Sequence, residues 1–193
     1  MHELIRERIN DSIKAKQAVL NDSELLENIS RTADEIVTCI RNGGKLILCG
    51  NGGSASDALH FAGEIVGRFQ KERTPWPAVV LNADAATMTA IANDYSYDDM
   101  FARQAEAHAK AGDILIGIST SGNSENVLRA VRAAKSKGAK TVALLGKDGG
   151  KIAHEADYPI IVRHNVTARV QECHICIIHI LCEIAENILA DGK

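Results

Sequence analysis

Two predicted helices carry side chains that could bind a metal ion. In the first, over 54–69, His60 and Glu64 are four residues apart and therefore share one face. A histidine and a carboxylate are both common zinc ligands. The same spacing is also common in surface pairs, so the sequence alone leaves both interpretations open.

The second predicted helix, over 167–189, contains Gln171, His174 and His179. Gln171 and His179 are about two turns apart and project from roughly the same side of the helix. Isoleucines on both sides of His179 indicate that it is not on an open surface. Burying a polar group without a partner is costly, so His179 needs one. The alternative is an ordinary core histidine with a satisfied hydrogen bond.

Hydroxyl groups are concentrated in the turn 119–124, which reads STSGNS and follows an apolar strand over 114–118. The turn leads into a predicted helix over 124–137, whose first N–H groups and positive dipole end attract anions. Hydroxyl groups can donate to phosphate oxygens without a net positive charge. Because these hydroxyls exceed what a helix cap requires, we predict a phosphate site. A plain capped turn is the alternative.

A glycine-rich turn, GNGGSA at 50–55, also follows an apolar strand, at 45–49. Its glycine spacing formally matches the dinucleotide-binding fingerprint. Such a site also needs an acidic residue at the end of the next strand, about 20 positions on. Glu72 has that spacing but stands in the loop 71–77, with no strand before it. We therefore predict a tight turn that brings backbone amides and Ser54 against a small polar ligand.

Asn93 and Asp94 follow a short predicted helix over 84–92. A loop carboxylate at this place could bind a sugar hydroxyl, or it could cap the turn that follows. The sequence does not choose between these two roles.

The elements that must position these side chains alternate between strand and helix. Short apolar strands are predicted at 45–49, 78–81, 114–118, 141–145 and 160–162, with helices at 54–69, 84–92, 124–137 and 167–189 between and after them. This pattern predicts a parallel sheet covered by helices on both faces. Ligands of such sheets usually bind at the carboxyl ends of the strands.

Two amphipathic helices precede the first strand, within residues 1–42, and the α/β part spans 43–193. Helical hairpins of this kind often pack on a partner subunit, so we expect an oligomer. Packing of the two helices on their own sheet is the alternative.

The composition excludes several classes of protein. A chain of 193 residues with 46% hydrophobic residues suits one domain with a substantial core. A net charge of -3 and a pI of about 6.2 do not suggest a nucleic-acid binder. No uncharged apolar run approaches the roughly 20 residues of a membrane span, and charges within 1–10 interrupt any signal peptide.

The cysteines favour a reducing compartment, and we expect a cytoplasmic protein. Their number, five, is odd, which argues against a disulfide framework. Cys173 and Cys176 form a single CxxC in a helical stretch. We interpret them as buried thiols rather than as a metal or redox site.

Five segments in register resemble the sugar isomerase (SIS) domain family and, within it, the phosphoheptose isomerases. They are NGGSASDALHFAGE (51–64), AIAND (90–94), GISTSGNSENV (117–127), LLGKDGG (144–150) and ARVQECHICIIH (168–179). The resemblance covers nearly the whole chain, including the N-terminal helix pair. It implies a single SIS domain over 1–193, folded as a three-layer α/β/α sandwich around a parallel sheet and assembled as a homotetramer with active sites between subunits.

The resemblance also implies the site residues. Zinc, one ion per subunit, would be bound by His60, Glu64, Gln171 and His179. The substrate contacts would be Asn51, Gly52, Gly53, Ser54, Glu64, Asn93, Asp94, Ser119, Thr120, Ser121, Ser124 and Gln171. Where some relatives carry His and Asp, this chain has Ala55 and Ala168, neither of them an implied ligand.

The implied reaction converts sedoheptulose 7-phosphate to D-glycero-D-manno-heptose 7-phosphate, the first step toward the heptose of lipopolysaccharide core or other surface glycans. Ketose–aldose exchange needs a base, an acid and a group that stabilises an oxyanion. Zinc can supply the last as a Lewis acid. Glu64 and His179 are the candidate acid–base pair, in either order.

A non-enzymatic relative is the rival interpretation. The SIS family includes a regulator that binds the bacterial replication initiator protein, and LNADAATMTAIAND (81–94) resembles it. Such regulators lack the complete metal set, notably the second histidine. The presence of Glu64, Gln171 and His179 therefore favours the isomerase.

Overall fold

A computed structural model describes residues 1–190. The predicted domain extends to residue 193, and its last three residues lie outside this described part. Five parallel strands form one sheet in the order β2-β1-β3-β4-β5. They are β1 (Leu46–Gly50), β2 (Ala78–Val80), β3 (Ile114–Ser119), β4 (Lys140–Gly146) and β5 (Tyr158–Val162).

Helices cover both faces of this sheet, as the strand–helix alternation predicts. They are α1 (His2–Asn21), α2 (Ser23–Arg41), α3 (Gly53–Val66), α4 (Ala85–Asp94), α5 (Met100–His108), α6 (Glu125–Ser136), α7 (Gly150–Ala153) and α8 (Thr167–Ala190). One core lies between the sheet and α2, α3 and α8. The other lies between the sheet and α5 and α6. The predicted three-layer sandwich is confirmed.

Alternating strand residues divide between the two cores. In β3, for example, Ile114, Ile116 and Ile118 face the first core, while Leu115 faces the second. Gly117 also belongs to the second face, and a Cβ there would lie 2.7 Å from a methyl group of Val127. The missing side chain therefore lets α6 pack directly on β3.

The two N-terminal helices behave differently. Helix α2 begins at the N-cap Asp22, whose side chain accepts from Leu25 N, and it buries one face in the first core. In α1 only Ala15 is buried. The alternative, packing on the chain's own sheet, therefore holds for α2, whereas α1 leaves aliphatic side chains exposed. The expected oligomer stays a prediction.

Some elements differ from the predicted ones. Asn93 and Asp94 are the last two residues of α4 and do not follow it, because that helix extends two residues beyond 92. Helices α5 and α7 and a 3-10 turn at Tyr97–Asp99 lie outside the predicted alternation. They are short, and their apolar spacing gives little periodic signal.

Helix α8 has the length and hydropathy of a membrane span, with a mean hydropathy of 1.6 over its most apolar window. It packs on the sheet through buried residues that include Val170, Ile177, Ile178 and Leu181. Core helices of globular domains meet the same length and hydropathy criteria.

Candidate active site

The order of the strands reverses direction between β1 and β3, which places a crevice at their carboxyl ends. Open α/β sheets bind ligands at such a switch point. The turn 50–55 follows β1, and the hydroxyl-rich turn 119–124 ends β3 and leads into α6. Both turns that the sequence singled out therefore lie side by side at the carboxyl ends of the central strands β1 and β3.

The turn after β1 is tight. Gly52, the N-cap residue of α3, has φ +56, a conformation that side chains rarely adopt. Ser54 N donates to Asn51 O at 3.0 Å, and no side chain caps the helix at this end. Backbone carbonyls of the turn also accept from Ala55 N at 3.0 Å and Ser56 N at 3.3 Å. The tight turn is as predicted, and its binding of a small polar ligand stays a prediction.

In the second turn the hydroxyls bond to one another. Ser119 Oγ lies 2.8 Å from Ser124 Oγ and 3.4 Å from Ser121 Oγ. Ser124 is the N-cap residue of α6, yet its side chain makes no hydrogen bond to the helix amides. A plain capped turn would use that hydroxyl as the cap. The arrangement instead suits an anion bound at the helix N-terminus.

A reciprocal amide pair joins the turn after β1 to the first turn of α6. Asn51 Nδ2 donates to Asn126 Oδ1, and Asn126 Nδ2 donates to Asn51 Oδ1, both at 2.9 Å. The hydroxyl of Tyr97 donates to the same Asn51 Oδ1 at 2.8 Å. Neither Asn126 nor Tyr97 was selected from the sequence, because nothing in their spacing links them to Asn51.

The metal-ligand candidates from the two helices converge. His179 Nε2 lies 3.0 Å from His60 Nε2, and His60 Nε2 lies 3.1 Å from Glu64 Oε1. One donor atom from each of the three residues lies within 4.8 Å of the other two. The side chains of His60 and Glu64 are 45% and 23% exposed, so the group is open on one side.

Gln171 lies elsewhere along α8. Its amide is packed against Gly53, at the start of α3, so closely that a side chain on Gly53 would collide with it. Eight residues of helix separate Gln171 from His179, about 12 Å along the axis. The structure thus brings three of the four expected ligands together and places Gln171 beside the glycine turn.

Asn93 and Asp94 are exposed at the end of α4, where Asn93 Nδ2 donates to Asp94 Oδ1 at 2.9 Å. The following segment approaches the site through Tyr97. It is anchored on α6 by an ion pair of 2.6 Å between Asp99 and Arg129. Hydrogen bonds from Ser96 and Arg129 hold the pKa of Asp99 below its usual value.

Two further titratable groups lie near these helices. Burial raises the pKa of Asp57, opposed only in part by the nearby His60, and Asp57 Oδ2 is buried without a hydrogen-bond partner. His174 is fully buried, with Nε2 2.9 Å from Leu145 O, and burial lowers its pKa to about 4. His174 is therefore a neutral core histidine.

The remaining motifs carry no chemistry. Glu72 lies in the connection between α3 and β2 with its side chain 90% exposed, so the dinucleotide interpretation has no support. All five cysteines are free thiols. Cys173 is buried, as predicted for both thiols of the CxxC, whereas Cys176 is only partly buried.

Comparisons with known proteins show the family of this chain and its fold. The SIS domain model matches residues 10–146. The chain is 50% identical over 185 residues to a phosphoheptose isomerase of Geobacter sp. (strain M21), covering 95% of this chain and 96% of the relative.

Two solved structures are similar throughout. The phosphoheptose isomerase of Neisseria gonorrhoeae superposes with a TM-score of 0.91 at 43% identity, covering 96% of this chain and 98% of that one. That of Francisella tularensis has a TM-score of 0.91 at 38% identity, with coverage of 96% and 97%.

Proposed function

Because the chain belongs to the SIS domain family, as one of its phosphoheptose isomerases, we propose that it converts sedoheptulose 7-phosphate to D-glycero-D-manno-heptose 7-phosphate by zinc-assisted proton transfer. Its relatives support the coarser statement that it isomerises a heptose phosphate. One observation carries the metal-assisted mechanism, namely the convergence of His60, Glu64 and His179 at the facing sides of α3 and α8.

The converging donors fit a catalytic zinc ion. Such ions usually have three protein ligands, drawn from histidines and carboxylates, and keep a further position open for water or substrate. His60, Glu64 and His179 supply two imidazole nitrogens and one carboxylate oxygen. The group is partly exposed to solvent, which leaves room for water or substrate. We propose these three residues as ligands from a single subunit.

Gln171 has two expected roles, zinc ligand and substrate contact. Its position beside Gly53 supports the substrate contact. Its amide packs on Gly53 rather than beside the other three donors, and the helix holds it about 12 Å from His179 along the axis. As a zinc ligand, we propose that Gln171 comes from a second copy of the chain.

The chain's own residues perform the proton transfer. Ketose–aldose exchange moves a proton between adjacent carbons through an enediol-like intermediate, so it needs an acid–base pair. We assign this pair to Glu64 and His179, which stand on facing helices so that each can approach a different carbon. Because both are also proposed zinc ligands, their roles as ligand and as proton carrier must alternate or be shared between their atoms. A bound zinc ion would stabilise charge on the substrate oxygen as a Lewis acid.

The two turns at the carboxyl ends of β1 and β3 would orient the substrate. We propose that Ser119, Thr120, Ser121 and Ser124 bind the phosphate, and that Asn51, Gly52, Gly53, Ser54, Asn93 and Asp94 contact the sugar. Helix α3 runs from Gly53 to His60, about 10 Å along its axis. An open-chain substrate with its phosphate in the hydroxyl turn would therefore extend its carbonyl end toward the metal group.

Exposed aliphatic side chains support a homotetramer with active sites between subunits. Leu59, Val66 and Ile180, beside the metal group, are 48%, 44% and 39% exposed. Helix α1 exposes a further row, Leu4, Ile5, Ile9, Ile13 and Leu20. Clusters of exposed apolar residues mark interaction surfaces. We propose that neighbouring subunits cover both surfaces, within a single SIS domain per chain over 1–193.

The comparisons do not favour the rival regulator, because the relatives that match over nearly the full chain are named isomerases. The second histidine of the metal set is also present. We propose that the enzyme works in the cytoplasm, where its free thiols persist. There it would supply heptose for lipopolysaccharide or other surface glycans.

One assay tests the proposal. The purified chain is incubated with sedoheptulose 7-phosphate, and aldose phosphate is measured before chelation, after chelation and after zinc is added back. We expect activity that is lost with the chelator and restored by zinc. Undiminished turnover in the metal-free chain would refute the metal-assisted mechanism, and no aldose under any condition would refute the substrate.

A further inference from the structure

A buried ion pair lies next to the proposed metal group. Glu186 of α8 is 1% exposed, and its carboxylate accepts from the backbone N–H groups of Phe69, Gln70 and Lys71 at 3.0, 2.6 and 2.7 Å. It also accepts from Arg73 Nε at 3.1 Å. Burial alone would raise the pKa of Glu186, but these hydrogen bonds outweigh it and hold the pKa below its usual value.

Arg73 connects this carboxylate to the helix that carries His60 and Glu64. Its Nη2 donates to Glu64 O at 2.7 Å, and its Nη1 donates to Ile65 O at 3.0 Å. Carbonyls in the last turn of a helix have no partner within the helix. The guanidinium also stacks over the ring of Trp76, 3.5 Å from its centroid. Arg73 therefore fixes the end of α3 next to Glu64.

The same connection reaches His179. The ring of Phe69 lies 5.7 Å from that of His179, centroid to centroid. Glu186 holds the backbone of Phe69 and stands on α8 about two turns beyond His179. Arg73 thus contacts Glu64 of α3 directly, and Glu186 holds the residue whose ring packs on His179 of α8.

Stability alone does not account for such a pair. The cost of desolvating two charges can exceed the attraction between them, so a buried salt bridge is weak evidence for stability. A pair with a full set of hydrogen bonds does fix geometry. Groups hydrogen-bonded to metal ligands affect metal affinity about 10- to 100-fold when they are changed. Arg73 bonds to the backbone of the proposed ligand Glu64.

We propose that Glu186 and Arg73 are positioning residues for the metal group, holding α3 and Phe69 so that His60, Glu64 and His179 meet. This inference rests on the metal site proposed above. Neither residue need touch the ion or the substrate.

Co²⁺ binding to the metal-free full chain tests it without an activity assay. We expect Glu186→Gln to weaken Co²⁺ binding about 10- to 100-fold and to change the visible absorption of bound Co²⁺. Asp113→Asn is the matched control. Asp113 is 0% exposed, accepts from the N–H groups of Lys45 and Lys110 and pairs with the Lys45 ammonium. It lies at the amino ends of the strands, away from the site.

The outcomes separate the two proposals. If wild-type protein binds no Co²⁺, the metal site is wrong and this inference falls with it. If wild-type protein and Glu186→Gln bind equally well, the metal site stands and the positioning role is overturned. Equal weakening in Asp113→Asn would also overturn it, since the effect would then be general destabilisation.

Phe69→Leu keeps the test decisive if Glu186→Gln does not fold. Phe69 is only partly buried, so the leucine variant should fold. Loss of the ring that packs on His179 should weaken Co²⁺ binding several-fold and alter its spectrum. In that case, unchanged binding and an unchanged spectrum would overturn the positioning role.

Discussion

His179 Nε2 lies 3.0 Å from His60 Nε2, although 119 residues separate the two histidines in the chain. The contact exists because α3 and α8 pack side by side on one face of the sheet. Without an ion, only one of the two nitrogens can carry the proton of a hydrogen bond between them. A cation between the two rings would use both nitrogens as ligands.

Replacing His179 tests its role in proton transfer. We expect His179→Gln to lower kcat by at least about 10²-fold, the usual range for removal of an acid–base group. The fold should persist, because His179 is only partly buried. Aldose formation and circular dichroism are the measurements. A folded variant with full activity would rule out the assignment.

Replacing Ser121 tests the hydroxyl turn. A hydrogen bond to a charged group contributes about 1.5–3 kcal/mol, so Ser121→Ala should raise KM roughly 10- to 100-fold. The zinc content should not change. Ser136→Ala is the control, since Ser136 bonds only to Ala133 O at the far end of α6. The phosphate assignment fails if the two variants have the same KM.

Replacing Tyr97 tests a residue that the sequence did not reveal. Tyr97→Phe removes the hydrogen bond to Asn51 Oδ1, worth about 1 kcal/mol, so KM should rise about fivefold with little change in kcat. Tyr95→Phe is the matched control, because the Tyr95 ring stacks with Arg103 outside the site. Equal kinetics for the two variants would show that the Tyr97 hydroxyl does not order Asn51.

The buried His174 predicts a pH dependence of folding. Its pKa is about 4 in the folded chain against an ordinary value of 6.5, so the unfolded chain binds the proton first as pH falls. The free energy of unfolding should decrease by about 3 kcal/mol between pH 6.5 and pH 4 and be independent of this group below that range.

Urea unfolding of metal-free protein at several pH values measures the effect. The variant His174→Gln keeps a polar side chain near Leu145 O but cannot titrate, so its stability should fall less steeply over the same range. Identical slopes for the two proteins would assign the acid sensitivity to other groups.

The sequence predicted those parts of the site that depend on local pattern. Both turns directly follow apolar strands. The sequence therefore predicted that their polar residues lie at the carboxyl ends of neighbouring strands. The spacing of His60 and Glu64 on one helix face was equally accessible. Each of these relations lies within about a dozen residues of chain.

Relations between distant segments could not be inferred. The spacing of Gln171 and His179 puts them on one side of α8, but it does not reveal that His179 meets His60 of α3 while Gln171 packs on Gly53. From the sequence alone, Glu186 would be taken for a surface carboxylate, because glutamate is rarely buried unless it is paired. Only the path of the chain from α3 to β2 brings Arg73 and three backbone amides to it.

Gly117 lets α6 approach β3 without an intervening side chain. Helix α6, which begins just after the hydroxyl turn, can therefore pack closely on the sheet because residue 117 has no Cβ. An alanine at that position would push α6 outward and carry Ser124 away from Ser119 and Asn126 away from Asn51. A variant with an added methyl group in the interior would thus resemble one altered in the two turns proposed to bind the substrate.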